Sequence, residues 1–157
     1  MATKTRSFHS SSPDETARFA AGLAAKLSPG DVILLEGDVG AGKTHFARAL
    51  IQSLLEQSED VPSPTFTLVQ TYATPRGEIW HADLYRVTST LEIEELGLID
   101  AFGTEICLVE WPDRLGTLAP ADALTLAFQA GKTDEARQIT ARWSAARWDD
   151  LLGALAA

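Results

Sequence analysis

Val32-Ile33-Leu34-Leu35-Glu36-Gly37-Asp38-Val39-Gly40-Ala41-Gly42-Lys43-Thr44 is the stretch on which the fold turns. Its first four residues are wholly apolar and predict a strand covered on both faces. Gly37 to Thr44 then fits the spacing G-x-x-x-x-G-K-[ST]. Behind it, Phe46/Leu50/Leu54 and Ala47/Ile51/Leu55 recur at i, i+4, which predicts an amphipathic helix over Thr44–Gln57. Strand, glycine loop and helix in that order make a phosphate-binding P-loop. Glycines let the backbone turn tightly and aim several N–H groups at one centre, and the helix adds the positive end of its dipole. In such a loop Lys43 reaches the β- and γ-phosphates as a point charge, and the Thr44 hydroxyl holds magnesium. The alternative is a chance strand–turn–helix corner, against which the flanking strand and helix both argue.

On the N-terminal side, Ser12-Pro13-Asp14-Glu15 reads as a capping box with proline at the first helical position. Phe19, Leu23 and Leu27 follow at every fourth residue, so a helix over 13–27 is expected. Residues 1–11 are polar and serine-rich, and are expected to be partly frayed apart from a short lead-in strand. On the C-terminal side, Val61-Pro62-Ser63-Pro64 is a rigid loop. Thr65–Tyr72 and Glu78–Tyr85 are β-rich around the turn Pro75-Arg76-Gly77, a hairpin pattern. Thr90–Leu96 reads as a short acidic helix ended by Gly97. Ile106-Cys107-Leu108-Val109 is a second buried strand. Ala123–Phe128 and Arg137–Ala141 flank the turn Gly131-Lys132-Thr133-Asp134 as a second hairpin, and Ser144 is expected to cap a last helix through Leu155. Neither an internal repeat nor a linker interrupts residues 1–157, so a single α/β domain is expected.

A P-loop NTPase needs a further acidic group at the end of a neighbouring strand, to hold magnesium or orient the attacking water. Glu110 follows Ile106–Val109 in that position; the bland alternative is a solvated strand-end carboxylate. Asp83, in His81-Ala82-Asp83-Leu84-Tyr85-Arg86, is another candidate, because aspartate interrupts a β-rich run at a cost in propensity. Its bland alternative faces outward and pairs with Arg86. Thr65 in Ser63-Pro64-Thr65 suits a switch hydroxyl reporting on a γ-phosphate, or is simply a strand threonine. Gly131-Lys132-Thr133 mimics a P-loop tail, but Leu126 stands where the leading glycine belongs. Asp113-Arg114-Leu115-Gly116 mimics a G-protein motif, yet no [NT]-K-x-D follows to read guanine. His9, His45 and His81 sit apart and suggest no triad, His45 lying merely near the phosphates. Of the four tryptophans, Trp111 beside Glu110 is the notable one.

Composition limits the rest. The 157 residues are 45% hydrophobic and 22% charged, which is globular rather than disordered. Cys107 is the single cysteine, so no disulfide framework is possible within the chain. The net charge is −9. Between Glu78 and Asp113 nine acidic residues stand against Arg86 alone. So acidic a surface has little attraction for nucleic acid by itself. No apolar run approaches the ~20 residues of a membrane span, and Met1–Pro13 lacks the apolar core of a secretory signal. A cytoplasmic protein is the expectation.

Taken in order, Gly37–Thr44, Ser63-Pro64-Thr65-Phe66-Thr67-Leu68-Val69, His81–Arg86, Glu95-Leu96-Gly97-Leu98 and Cys107-Leu108-Val109-Glu110-Trp111-Pro112 resemble the successive motifs of the bacterial TsaE (YjeE) family, over about residues 12–140. That family is the ATPase of tRNA threonylcarbamoyladenosine (t6A37) biosynthesis. The resemblance implies a single P-loop NTPase domain with a mixed, partly antiparallel central sheet flanked by helices, which suits the two hairpins. It implies ATP at Gly37, Asp38, Val39, Gly40, Ala41, Gly42, Lys43, Thr44 and His45, with Glu15 approaching the nucleotide. It implies Mg2+ on Thr44 and Glu110, and a catalytic or switch set of Lys43, Thr65, Asp83 and Glu110. The implied partners are the TsaD and TsaB proteins, with tRNA met only through that complex, and hydrolysis weak in isolation supporting its turnover. Two positions depart from the family pattern: His45 replaces a second threonine, and Ala82 replaces an aromatic before the aspartate.

Two other classes remain open at this stage. A small-molecule P-loop kinase would need an acceptor pocket and an arginine-rich lid, whereas the nine arginines here are scattered. A nucleotide-dependent interaction module would use ATP as a structural ligand only.

Overall fold

The computed structural model describes residues 2–153. Seven strands form one mixed sheet in the order β1-β7-β6-β2-β5-β4-β3. They are β1 Lys4–Ser10, β2 Val32–Glu36, β3 Val69–Thr74, β4 Gly77–Asp83, β5 Ile106–Glu110, β6 Leu124–Ala130 and β7 Arg137–Trp143. The helices are α1 Pro13–Ala24, α2 Lys43–Leu54, α3 Thr90–Glu95, α4 Leu98–Ala101 and α5 Arg147–Gly153. β2 pairs in parallel with both β5 and β6, and β5 in parallel with β4. The outer pairs, β1 with β7, β6 with β7 and β3 with β4, are antiparallel. The expected mixed α/β sheet is thus a parallel centre with an antiparallel wing on each side.

The apolar runs of β2 and β5 are central because helices cover both faces there. Strand alternation divides each run. Ile33, Leu35, Ile106 and Leu108 face α1 and α2, where they pack with Leu23, Phe46, Leu50 and Ile51. Val32, Leu34, Cys107 and Val109 face the opposite way, against Ile93, Leu98, Phe102 and Leu115. Burying each large apolar side chain contributes roughly 1.5–3 kcal/mol. No helix among the described residues is long and apolar enough to cross a membrane.

Several boundaries differ from expectation. The lead-in strand extends over seven residues and pairs along its whole length with β7, so residues 4–10 are ordered by the sheet instead of frayed. α1 ends at Ala24, before the Ser28-Pro29 stop, because Lys26 and Leu27 close tighter turns onto Leu23 and Ala24. β3 starts at Val69: Leu68 takes a positive φ of 70° and its N–H returns to the Pro64 carbonyl, which curls Thr65–Leu68 out of the strand. α4 and the 3-10 turns of Pro112–Leu118 lack a helical apolar period long enough to announce them. The last helix begins at Arg147, and Leu155 lies outside the described residues.

Candidate active site

The period of two along β4 and β5 decides which side chains meet. His81 and Asp83 on β4, and Glu110 on β5, share the parity of Ile79, Ile106 and Leu108, and so lie on the α2 face. Asp83 and Glu110 are register partners at the C-terminal ends of adjacent parallel strands. β2 ends beside them and leads into the glycine loop. A cleft of about 600 Å³ opens there, lined in part by Val39, Gly40, Lys43, Thr44, Asp83 and Glu110.

Two glycines make the loop possible. Gly37 takes a φ of +142°, and a Cβ there would meet the Phe128 carbonyl oxygen at 2.7 Å. Gly42 precedes α2 with a φ of +112°, a left-handed conformation costly for other residues. No side chain caps α2, whereas Ser12 caps α1 and Ser89 caps α3. The first-turn N–H groups of α2, which an α-helix cannot satisfy internally, therefore face the cleft with the positive dipole end.

Lys43, Asp83 and Glu110 are buried, at 4%, 4% and 2% exposure. Thr44 donates its hydroxyl proton to Glu110 Oε1 at 2.8 Å, joining the start of α2 to the end of β5. Glu110 Oε2 lies 2.7 Å from His81 Nε2. Lys43 Nζ donates to the Gly37 carbonyl and rests 3.4 Å from the centre of the Trp111 ring. Trp111 holds that place through a left-handed turn, φ 59° and ψ 54°, immediately after β5. Burial pushes the Lys43 ammonium below its ordinary lysine value, against the pull of Glu110, Asp83, Asp38 and Asp113.

Asp83 is no outward-facing partner of Arg86, whose guanidinium lies over Phe66 instead. Asp83 Oδ2 accepts from the Thr65 hydroxyl at 3.0 Å and Oδ1 from the Tyr85 N–H at 3.0 Å. Ser63 and Thr65 exchange a hydroxyl contact at 2.8 Å. The curl that delays the start of β3 is what turns Thr65 into the cleft.

The remaining expected residues divide. His45 lines the cleft and its Nε2 lies 3.0 Å from the Pro13 carbonyl. Gly37, Asp38 and Ala41 shape the loop without lining the cleft; the Ala41 N–H closes a turn onto the Asp38 carbonyl. Glu15 does not line it either. Its own N–H donates to Ser12 Oγ, the half of the expected capping box that forms, while its carboxylate reaches one residue past the cap and accepts from the Ser11 N–H at 2.6 Å. That bond holds the Glu15 carboxyl below the usual range. Pro13 and Thr16, its neighbours, line the cleft in its place. Two side chains were missed by sequence reasoning. His81 joins Glu110 through strand pairing that no motif spacing reveals. Arg137, at the start of β7, donates to the carbonyls of Ala41 at 2.9 Å and Gly40 at 3.3 Å, across 96 and 97 residues.

The donor set suits a phosphate ester and a small hard cation. A hydroxyl and carboxylates offer oxygen ligands, and among the described residues no three His, Cys, Asp or Glu side chains converge as a closed metal cage. Magnesium is commonly held by one or two protein oxygens together with substrate phosphates.

The chain is similar to known proteins in sequence and in fold. The family model for "Threonylcarbamoyl adenosine biosynthesis protein TsaE" matches residues 10–139. The tRNA threonylcarbamoyladenosine biosynthesis protein TsaE of Rickettsia bellii is 45% identical over 109 residues, 69% of this chain and 76% of its own. The corresponding protein of Bacillus subtilis is 40% identical over 129 residues, covering 82% and 79%. The crystal structure of Bacillus subtilis YdiB superposes with a TM-score of 0.79 at 29% identity, covering 98% of this chain and 95% of that one.

Proposed function

The chain belongs to the TsaE family, whose members take part in tRNA threonylcarbamoyladenosine biosynthesis, and from that premise we propose that it is a Mg-ATP-dependent P-loop ATPase subunit of that modification. The observation that carries the reading is the 2.8 Å bond from Thr44 to Glu110, which brings the Lys-Thr end of the glycine loop against a strand-end carboxylate.

In this reading the first-turn N–H groups of α2 and Lys43 bind the phosphates. Lys43 must leave the Gly37 carbonyl and the Trp111 face to do so. Thr44 and Glu110 would hold Mg2+, which neutralises negative charge on the phosphate oxygens. Asp83 keeps Thr65 directed into the cleft, so its hydroxyl can follow the outermost phosphate. Glu110 or Asp83 orients the attacking water and accepts its proton. Arg137 donates to the carbonyls of Gly40, Ala41, Asp134 and Ala136, so it braces the loop and supplies no mobile cation to the transferred phosphoryl group. P-loop proteins without such a cation turn over slowly, and one supplied in trans is worth roughly 10³–10⁵. Isolated turnover is therefore slow. The TsaD and TsaB proteins are the proposed partners, tRNA is reached through them, and the setting is the cytoplasm.

Steady-state ATP hydrolysis by the chain alone, and with the TsaD–TsaB pair of its own organism, tests the proposal. The expected result is slow turnover alone, a rise with the pair, and loss in Lys43→Ala under both conditions. Tight ATP binding with no effect of the pair would discount the subunit reading and turn the search to a kinase acceptor.

A further inference from the structure

His81 is wholly buried on the α2 face of β4, with Nε2 2.7 Å from Glu110 Oε2 and Nδ1 without a partner among the described residues. Asp83 occupies the next position of the same face and Ile79 the previous one, so the ring lies between apolar core and cleft. A carboxylate oxygen can only accept, so Nε2 is the donor. In the neutral ring Nδ1 then keeps a bare lone pair. An orphaned acceptor is more readily tolerated in a dry interior than an orphaned N–H.

The two oxygens of Glu110 are thereby treated differently. Oε1 accepts from Thr44, whose hydroxyl is the group expected to turn to a cation, and Oε2 accepts from a ring fixed in the core. Once Thr44 turns away, its bond to Oε1 is lost. The carboxylate then depends on His81 alone to resist rotation about its terminal torsion, which is broad and roughly two-fold. We propose that His81 is a positioning residue, its Nε2–H holding Glu110 Oε2 so that only Oε1 faces Thr44 and a bound divalent cation. The inference rests on the Mg-ATP reading above and deepens it. It also explains why a histidine, with a donor at the far edge of a rigid ring, stands at a strand position that otherwise calls for an apolar side chain.

The test uses the full chain, nitrogen NMR of the imidazoles, and ADP binding titrated with and without Mg2+, for wild type, His81→Phe and His81→Gln. In the wild type without nucleotide, a proton is expected on Nε2; a proton on Nδ1 alone overturns the proposal without any variant. His81→Phe fills the space but removes the donor. It should weaken the Mg2+ dependence of ADP binding about 10–100-fold, the usual effect of losing such a supporting hydrogen bond. Metal-free ADP affinity should hold. His81→Gln, whose amide can reach the Nε2 position, should recover most of the loss. A folded His81→Phe protein with wild-type Mg2+ dependence overturns the inference and leaves the ATPase reading standing. A wild type that shows no Mg2+-linked nucleotide binding overturns both. If His81→Phe fails to fold, the glutamine variant and the wild-type tautomer decide: a glutamine variant as weak for Mg2+ as a Glu110→Ala protein also overturns it.

Discussion

The two faces of the sheet are built differently. One is covered by α1 and α2, twelve residues each, over a continuous core reaching from Phe8 to Leu152. The other is covered by α3 and α4, six and four residues long, and by 3-10 turns. Its core is smaller and centres on Ile93, Leu98, Phe102 and Leu115. His81, Asp83 and Glu110 all belong to the first face. The residues proposed to act therefore stand against long helices, and the short covering segments lie over the opposite face. Rigid elements give sites their precision.

A pair of core substitutions tests that contrast. Phe46 lies two residues beyond Thr44 and packs at a tilt against Phe19 and Phe128 at centroid distances of 5.9 and 5.4 Å. Phe46→Ala should cost about 3–5 kcal/mol of unfolding free energy and weaken nucleotide binding with it. Ile93→Ala should stay near the lower end of the ~2–5 kcal/mol range for such truncations, because six-residue α3 can settle into the space. Nucleotide affinity should survive Ile93→Ala. Denaturant unfolding with a binding titration reads both. Equal losses of affinity would mean the site depends on the two faces alike.

Within the first face, Glu110→Gln sharpens the comparison between binding and chemistry. The amide retains the shape but surrenders the charge, and its single oxygen can accept from Thr44 or from His81, not from both. Hydrolysis should fall roughly 10²–10³-fold, the scale for losing a positioned acid–base or charge-stabilising group, while ATP still binds. An unchanged rate in single-turnover measurements would support the module that merely binds nucleotide.

Legibility in the sequence follows the same division. The 3.6-residue period of Phe46, Leu50 and Leu54 and the glycine spacing of Gly37–Lys43 exposed β2, the loop and α2, because long regular elements carry many repeats of one signal. Glu110 was readable from its place after an apolar strand. α4 and Pro112–Leu118 were not, since four and seven residues give only about one and two turns of pattern. His81 and Arg137 were hidden for another reason. Their partners lie 29 and 96 residues away, and only strand register brings them together. Thr65 was singled out, but assigned to a strand; the positive φ at Leu68 curls it inward, and leucine gives no local sign of that conformation.

The smallest expected effect concerns Lys43, among the described residues the one lysine or arginine that is buried, and it sets function against stability. Burial lowers its folded-state value below the 10.5 of an ordinary lysine. Between the lowered value and 10.5 the unfolded chain binds more protons than the folded one, so stability rises with pH across that window. Below it both states carry the proton, and the cost of burying the charge is fully present. Lys43→Met, which keeps the length and discards the charge, should therefore melt above the wild type near neutral pH without nucleotide. The gap should close as pH climbs toward the ordinary lysine range. Thermal melts of both proteins across that range measure it. A wild type that melts higher at neutral pH would mean that the Gly37 carbonyl and the Trp111 face more than offset burial. The resting place of the lysine would then stabilise the nucleotide-free protein, and phosphate would have to compete with it.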